Sequence, residues 1–337
     1  YVSRSEGRAL RYRKEIPIDS CAVLHPALEE LRRLKGRPPA LTFTWHVGAR
    51  ERSEAFPELR ALTRRLVTRY WPGPLTLVLH GVPAGLEAIA QDGWTGVRFP
   101  AHATTAALLA ACEFPVVMTS ANRHGAKPLT RAEEVEREFG SELALVVDGG
   151  PARLGEASGV LRLGCGRFEL LREGLLTLDE LRRTAGLRIA FVCTGNTCRS
   201  PMAEALAKKR LVERLGLARP AELANFGFEV LSMGVHAASG APASGGTREA
   251  LAARGIELGP HRSRPATPEA LARLDRIYGL TAGHVEALRA ALPPGRSVER
   301  LDPARDIADP IGGGPEVYAR ALDEIERALG ARLDDWA

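Results

Sequence analysis

The sequence of 337 residues has few cysteines and no long apolar run. Its five cysteines, at positions 21, 112, 165, 193 and 198, do not make a disulfide framework, so we expect free thiols and a cytoplasmic location. No stretch of about 18 apolar residues occurs, which predicts no transmembrane helix and no membrane partner. The amino terminus is polar and basic and has no apolar core of a signal peptide.

Other signals are also missing. The chain begins with Tyr1 rather than Met, so we expect residues upstream of it. The eight histidines are scattered without ligand spacing, so no metal site is expected, and His236, His261 and His284 are interpreted as surface or supporting residues. No Walker-type phosphate loop is present, so a nucleotide would have to bind in a cleft of another kind.

Charge separates the two halves only weakly. The net charge is +5, and residues up to Gly186 contain 26 basic and 22 acidic side chains. A mild basic excess suits a nucleotide or RNA partner, but these residues form no basic run. An ordinary solvated surface is therefore the favoured interpretation of the charge.

The second half predicts an α/β domain over residues 187–337. Its apolar strands alternate with helical stretches, which is typical of a doubly wound parallel sheet. The helix at 200–215 is expected to begin at Pro201, with Ser200 as a possible cap. The predicted strands are 187–193, 228–234, 274–280 and 298–301, and the other predicted helices are 246–254, 281–292 and a carboxyl-terminal helix from about 315.

The first half predicts a mixed-sheet domain of α+β character over residues 1–182. Several of its short apolar runs follow one another too closely for a helix to lie between each pair. The predicted strands are 75–79, 115–120, 143–150, 159–163 and 168–174, and the predicted helices are 26–35, 55–70 and 131–139.

The strongest candidate site is the segment from Cys193 to Ser200, which lies between a buried strand and a helix. Gly195 and Asn196 allow a loop whose backbone N–H groups converge on an anion at the start of the helix. The helix dipole and Arg199 favour the thiolate of Cys193, and the planar guanidinium can hold two phosphoryl oxygens. Ser200 can donate a hydrogen bond to the sulfur of Cys193 when this sulfur is the leaving group in the second step of a reaction.

The segment CTGNTCRSPMAEA resembles the phosphate loop of the low-molecular-weight protein tyrosine phosphatase family. The likeness extends over 187–337 through SMGV (232–235), HRSRPAT (261–267) and DPIGGGPEVY (309–318). It implies a phosphorylated protein substrate, no cofactor, and a catalytic set of Cys193 as nucleophile, Arg199 as phosphate ligand and Asp309 as general acid. The phosphate-binding residues that it implies are Thr194, Gly195, Asn196, Thr197, Cys198 and Ser200.

The choice of general acid rests on the residues that come directly after each aspartate. Asp302 and Asp306 lie close to Asp309 in the sequence. Asp309 is preferred because glycine-rich residues and the terminal helix follow it directly.

Two departures from the family pattern bear on the substrate. Members that act on phosphotyrosine usually carry aromatic residues after the Asp-Pro pair, and here Ile311-Gly312-Gly313 follows instead. Thr197 stands where many members have an aliphatic residue. Both features resemble the protein arginine phosphatase branch, so phosphoarginine is favoured and phosphotyrosine stays an alternative.

The remaining cysteine of the loop leaves two interpretations. Arsenate reductases share this fold and loop but need further cysteines, and this chain has none after Cys198. Cys198 could form a reversible disulfide with Cys193, or it could pack as a small apolar residue.

A second resemblance covers residues 16–180. The motifs are KGRP (35–38), WPGPLTLVL (71–79), GVRFP (96–100), TSANRHG (119–125), VVDGGP (146–151) and LLREG (170–174). Together they resemble the YrdC/Sua5 family, whose members make threonylcarbamoyl-adenylate for tRNA modification. The resemblance implies ATP, L-threonine and bicarbonate as substrates, and site residues Lys35, Arg37, Arg98, Ser120, Asn122, Ser158 and Arg172.

One segment departs from that family. Its members carry a Pro-Thr-Glu-Thr-x-Tyr-Gly substrate segment, and the corresponding residues here are IPIDSCAVLHP (16–26). The first domain is therefore interpreted as a weak synthase or as a module that binds ATP or RNA. The rival hypothesis for the whole chain is a binding protein whose phosphatase fold only recognises phosphate. The intact Cys193, Arg199 and Asp309 set argues against it.

Overall fold

The computed structural model describes residues 21–36, 38, 43–58, 60–112, 114–143, 145–152 and 154–337. Arg37 and residues 16–20 of the expected substrate segment lie outside the described residues. The chain divides into two compact units. The first comprises the described residues up to Glu58 with Val67–Leu163 and Glu169–Thr177, and the second comprises the described residues of 59–66 with Gly164–Phe168 and Leu178–Ala337.

A six-stranded mixed sheet forms the centre of the amino-terminal half. The elements are α1 (Cys21–Lys35), β1 (Thr44–His46), α2 (Arg60–Tyr70), β2 (Leu75–His80), β3 (Trp94–Arg98), α3 (Ala103–Ala111), β4 (Val116–Met118), α4 (Ala132–Phe139), β5 (Gly159–Gly164) and β6 (Arg167–Arg172). The strand order is β4-β1-β3-β2-β5-β6. β1 runs parallel to β3 and β2 parallel to β5, whereas the β1–β4 and β2–β3 pairs are antiparallel. The mixed sheet predicted from the sequence is confirmed.

Some local predictions for this half are wrong. Described residues of 143–150 form no strand, because Leu145 and Val147 are half exposed and do not join a buried sheet. The predicted helix 55–70 is a 3-10 turn at Arg50–Ala55 followed by α2 from Arg60. β1, β3 and α3 were not predicted as elements, since β1 has only three residues and β3 contains Gly96.

The second unit contains a four-stranded parallel sheet. Its elements are α5 (Leu178–Ala185), β7 (Arg188–Cys193), α6 (Arg199–Leu215), β8 (Glu229–Gly234), α7 (Gly245–Ala252), α8 (Pro268–Leu271), β9 (Arg276–Gly279), α9 (Ala282–Ala291), β10 (Val298–Arg300) and α10 (Pro315–Trp336). The strand order is β10-β9-β7-β8, and β7 pairs in parallel with β8 and β9. The predicted doubly wound parallel sheet is confirmed.

Successive side chains of β7 pack into two different apolar layers, one on each face of this sheet. Ala190 and Val192 join a core with residues of α8 and α9, such as Val285. Phe191 lies on the other face, where it stacks on Tyr278 with ring centroids 5.9 Å apart. Trp336 of α10 is fully buried against both rings and donates from its Nε1 to the Tyr278 hydroxyl at 3.1 Å. Successive side chains of a strand point to opposite faces, so β7 is covered on both sides by helices.

No helix in the described ranges is both long enough and apolar enough to cross a membrane.

Candidate active site

The loop from Thr194 to Cys198 connects β7 to α6 at the carboxyl edge of the parallel sheet. β8 lies on one side of β7 and β9 on the other, so the chain leaves β7 at the point where the strand order reverses. Crevices at such points are the usual ligand sites of open parallel sheets. Cys193 is the last residue of β7, and Arg199 is the first residue of the 17-residue helix α6. The positive end of a long helix dipole therefore faces the loop.

Asn196 fixes the shape of this loop. It has a backbone φ of 56°, in the left-handed region, and its side chain is completely buried. The amide Nδ2 donates to Ser200 Oγ at 3.0 Å, and Oδ1 accepts from the backbone N–H of Arg264 at 2.9 Å. The carbonyl oxygen lies 2.8 Å from Nε2 of His261. The side-chain amide and the backbone carbonyl of Asn196 are thus bonded in three directions, which holds the backbone N–H groups of the loop in one arrangement.

The sulfur of Cys193 faces the Ser200 hydroxyl rather than solvent. The two atoms are 3.0 Å apart, and both residues are buried. The expectation that Ser200 caps α6 is wrong. The helix begins at Arg199 with Cys198 at the cap position, which makes Pro201 its third residue rather than its first. The Ser200 hydroxyl is instead shared between the sulfur and the Met233 carbonyl, 3.2 Å away.

Arg199 connects the loop to the segment after β10. Its Nη2 donates to Asp309 Oδ2 at 2.5 Å, and its Nη1 donates to the Ile307 carbonyl at 3.1 Å. The side chain is only 6% exposed, whereas that of Asp309 is 40% exposed. The Nε of Arg199 is buried and has no hydrogen-bond partner among the described residues. A buried guanidinium N–H without an acceptor is costly, so this atom favours an incoming oxyanion.

The neighbouring aspartates have different surroundings. Asp306 Oδ1 accepts from the backbone N–H of Ala282 at 2.8 Å and from Arg300 at 2.9 Å. The Ala282 bond, followed by the Arg300 bond, lowers the pKa of the Asp306 carboxyl. Asp306 thus holds the segment against α9, and Asp302 bonds Arg305 on the surface. Asp309 alone among these three contacts Arg199.

His284 was not assigned to the site by sequence reasoning, but the structure brings it there. Its Nε2 lies 3.0 Å from Thr194 Oγ1, and its Nδ1 lies 3.0 Å from Thr281 Oγ1. Burial, followed by the charge of Arg199, lowers the pKa of His284 to about 4. A neutral ring therefore supports the loop at neutral pH. No local pattern reveals this contact, because His284 is 90 residues away from Thr194 in the sequence.

Gly234, the last residue of β8, allows the loop to pack closely against that strand. A Cβ atom at this position would lie 2.5 Å from the Thr194 carbonyl oxygen and 2.9 Å from the Asn196 nitrogen. Any side chain would displace the loop, because such distances are far inside van der Waals contact. A glycine at the carboxyl end of a strand is the signal in the sequence that could have identified this constraint.

Helix α7 supports the other end of the loop. The backbone N–H of Ser244 donates to the Thr197 carbonyl at 2.9 Å, and Cys198 Sγ donates to Ser244 Oγ at 3.4 Å. Cys198 Sγ also lies 3.8 Å from the hydroxyl of Tyr318. Cys112, Cys165, Cys193 and Cys198 are free thiols. Cys198 thus has polar neighbours, and its disulfide with Cys193 stays a prediction.

The two residues expected to govern specificity lie at the entrance. Thr197 is half-buried, and its hydroxyl has Cys198 Sγ at 3.7 Å as its contact. Ile311, in the segment after Asp309, is 70% exposed. These two positions therefore present one hydroxyl and one aliphatic side chain.

The residues predicted for the first unit fall into two groups. In one of them, Lys35 is 5% exposed and its Nζ donates to the carbonyls of Ser120 at 2.5 Å and Asn122 at 2.6 Å. Ser120 Oγ in turn donates to Asn122 Oδ1 at 2.5 Å. The ammonium therefore holds the turn at 120–122.

The other group lies where β3 and β6 end. Arg172 donates from Nε to the Ser158 carbonyl at 2.9 Å and from Nη2 to Ser158 Oγ at 3.2 Å. Arg98 donates to the Gly73 carbonyl at 3.2 Å. Burial, followed by the charge of Arg172, lowers the pKa of Arg98. Neither arginine forms an ion pair with a described residue, so two neighbouring cations have no counter-charge there.

Comparison with known proteins finds a family model for each half of the chain. A family model described as "Telomere recombination" (Sua5_yciO_yrdC) matches residues 21–174, and one described as "Low molecular weight phosphotyrosine protein phosphatase" matches residues 188–335.

Three curated relatives illustrate the two matches. The protein-arginine-phosphatase of Geobacillus stearothermophilus is 38% identical over 42% of this chain and 90% of its own. The low molecular weight protein-tyrosine-phosphatase of Streptomyces coelicolor is 37% identical over 42% of this chain and 88% of its own. The threonylcarbamoyl-AMP synthase of Pyrococcus abyssi is 33% identical over 48% of each chain.

The coverage differs between the two halves. The chain spans about half the length of the threonylcarbamoyl-AMP synthases of Pyrococcus abyssi and Bacillus subtilis, but about nine-tenths of the protein-arginine-phosphatases that it matches. Residues 188–335 therefore belong to the low molecular weight phosphotyrosine protein phosphatase family, and residues 21–174, which precede this domain, match the Sua5_yciO_yrdC family model.

Proposed function

We propose that the second unit is a cysteine-dependent protein phosphatase that acts through a phosphocysteine intermediate. The observation that carries the proposal is the pairing of two atoms: the Cys193 sulfur, 3.0 Å from the Ser200 hydroxyl, and the buried, unpartnered Nε of Arg199. One supplies a nucleophile and the other supplies a donor for a phosphoryl oxygen. Binding alone would not require a thiol at this place.

In the first step the Cys193 thiolate attacks phosphorus. A sulfur–phosphorus bond forms as the bond from phosphorus to the substrate nitrogen or oxygen breaks. Asp309 gives its proton to the leaving group, while Arg199 and the backbone N–H groups of the loop stabilise the charge on the phosphoryl oxygens. The placement of Asp309, 2.5 Å from Arg199, supports this assignment.

In the second step water attacks the phosphocysteine. The Asp309 carboxylate takes a proton from the water, phosphate forms, and the sulfur–phosphorus bond breaks. The electron pair returns to sulfur as a thiolate, which the Ser200 hydroxyl stabilises by donating a hydrogen bond. Every proton and electron pair is provided by the chain, the substrate or water, so the mechanism uses no cofactor.

Phosphoarginine fits the entrance better than phosphotyrosine does. A guanidinium leaving group keeps N–H donors that need acceptors, and the Thr197 hydroxyl has only a weak sulfur contact. No aromatic residue comes directly after the Asp309-Pro310 pair, where a ring would stack on a phenyl group of the substrate. The identities of 38% and 37% to relatives named for arginine and tyrosine do not separate the two substrates.

We further propose that the first unit binds a nucleotide polyphosphate such as ATP. The observation that supports it is the neighbouring pair Arg98 and Arg172, which has no ion-pair partner among the described residues. L-threonine and bicarbonate would be its co-substrates if the unit is a synthase. The departure at 16–26 favours weak or absent synthesis. Lys35 would act indirectly, because its ammonium already bonds the turn at 120–122.

The nucleophile can be tested with Cys193→Ser. This substitution should abolish hydrolysis of para-nitrophenyl phosphate and of phosphoarginine, because a serine hydroxyl is not ionised at neutral pH. Release of phosphate measures the effect. Cys112→Ser, in the first unit, is the matched control and should keep full activity. Turnover in Cys193→Ser would contradict the covalent mechanism.

The general acid can be tested by exchanging each aspartate for asparagine. Asp309→Asn should lower kcat for substrates with poor leaving groups by about 10²–10⁴-fold, and less for those with acidic leaving groups. Asp306→Asn should cost less than about tenfold, because that carboxylate holds the backbone rather than the substrate. The reverse order of the two effects would show that Asp306 is the acid.

Specificity can be tested at Thr197. Thr197→Ile should lower the ratio of kcat/KM for phosphoarginine over phosphotyrosine by roughly 5- to 150-fold, because the leaving group loses an acceptor worth about 1–3 kcal/mol. Thr197→Ser keeps the hydroxyl and is the control. An unchanged ratio in Thr197→Ile, or a wild type that prefers phosphotyrosine, would favour a tyrosine phosphatase.

The first unit can be tested by ATP binding and by synthesis. Arg98→Ala and Arg172→Ala should each weaken ATP binding by about 10- to 150-fold, the range for losing a charge-assisted hydrogen bond. Arg137→Gln, on the exposed face of α4, should not change it. Titration calorimetry measures the affinity. With ATP, L-threonine and bicarbonate, little or no pyrophosphate is expected. Robust synthesis would show that the departure at 16–26 is unimportant, and unaltered affinity in both alanine variants would contradict the nucleotide site.

A further inference from the structure

Two loops form one side of the entrance to the phosphate loop. The segment after β8 bonds to it directly, since the N–H of Val235 donates to the Cys193 carbonyl at 2.9 Å and that of His236 to the Thr194 carbonyl at 3.0 Å. The segment 261–266 lies beside it, with the N–H of Gly234 donating to the Arg264 carbonyl at 3.0 Å. Both loops are thus held in fixed positions next to the site.

These loops carry positive charge and no negative charge. Residues 234–240 and 259–267 include Arg262, Arg264 and two histidines, but no aspartate or glutamate. Ser263 is 2% exposed and bonds the 238–241 backbone, whereas both flanking arginines are exposed. Neither guanidinium forms an ion pair or a hydrogen bond with a described residue. Other exposed arginines of this unit do have such partners, as Arg188 does with Asp275 and Arg214 does with Asp334.

The opposite side of the entrance is different. The segment after β10 lies across β7 from the β8 loops, because β8 and β10 are on opposite sides of β7 in the sheet. Beyond Asp309 this segment offers the exposed Ile311 and three glycines. Asp309 itself is engaged with Arg199. The two loops beside β8 therefore carry positive side chains, whereas residues 310–314 on the opposite side carry no charged side chain.

We propose that Arg262 and Arg264 bind carboxylate side chains that flank the phosphorylated residue of a protein substrate, which rests on the proposed phosphatase function. The arginines are fixed through the backbone, since the N–H of Arg264 bonds Asn196 Oδ1 inside the loop that holds the phosphate. The loop that binds the phosphoryl group and the arginines that bind the acidic residues would thus keep a fixed spacing along the substrate. A protein segment fits better than RNA, because these two loops contain no Phe, Tyr or Trp on which bases could stack.

The test uses the full chain with Cys193→Ser, which should bind substrate without turnover. Two fluorescent phosphoarginine peptides are compared by anisotropy, one with glutamates and one with lysines on both sides of the phosphorylated residue. Arg262→Gln with Arg264→Gln is the test variant. Arg273→Gln is the control, since this exposed arginine precedes the amino end of β9, at the edge of the sheet away from the phosphate loop.

The glutamate peptide should bind about 3- to 10-fold more tightly than the lysine peptide at low salt, as expected for two exposed ion pairs. The preference should shrink with salt, persist in Arg273→Gln and vanish in the double variant. Equal binding of both peptides, or a preference that survives in the double variant, would overturn the proposal. An RNA oligonucleotide that binds more tightly than the glutamate peptide and loses this binding in the double variant would overturn it too.

The phosphatase function itself is tested in a separate assay. Hydrolysis of para-nitrophenyl phosphate by the wild-type chain tests catalysis without any peptide flank. Absent hydrolysis would contradict the proposed function, whereas the anisotropy ratio reports on the two arginines in either case.

Discussion

The buried amide of Asn196 is the constraint on which the rest of the site depends. Asn196 turns the loop back over the amino end of α6 through its left-handed backbone. Its side-chain amide bonds Ser200 and the N–H of Arg264, and its backbone carbonyl bonds His261. Leaving a buried amide unpaired costs about 1–3 kcal/mol, so the loop keeps this shape before any anion arrives. Donors that are already aimed at an oxyanion need no rearrangement during the reaction, which is the physical basis of their catalytic effect.

Arg199 couples this preformed loop to the segment that carries Asp309. Two of its nitrogens hold the Ile307 carbonyl and the Asp309 carboxylate, and its buried Nε has no partner among the described residues. In the proposed mechanism a phosphoryl group that enters shares this guanidinium with Asp309, so one cation lies beside both the phosphoryl oxygens and the carboxyl group that serves the leaving group.

The parts of the structure that could be predicted from the sequence are the local ones. A buried strand, a loop with Gly195 and Asn196, and an amphipathic helix follow one another directly, so the strand–loop–helix unit and its nucleophile could be inferred. The contacts of His284 and Gly234 with the loop depend on tertiary packing and could not. The strand predicted at 143–150 is wrong, because an apolar composition alone does not ensure that a segment is buried. Lys35 shows a further limit, since its carbonyl partners lie 85 and 87 residues away.

The neutral state of His284 explains how such a loop can stay fixed while the groups beside it change protonation. A neutral imidazole has one donor and one acceptor, which match the hydroxyls of Thr194 and Thr281 on its two sides. Protonation would replace the acceptor by a second donor and place a cation near Arg199, and burial already opposes that charge. Because the pKa of His284 is about 4, the ring stays neutral at physiological pH. In the proposed mechanism the Cys193 thiolate attacks and leaves without carrying a proton, so the proton transfers are left to Asp309 and the neutral ring behind the loop takes no part in them.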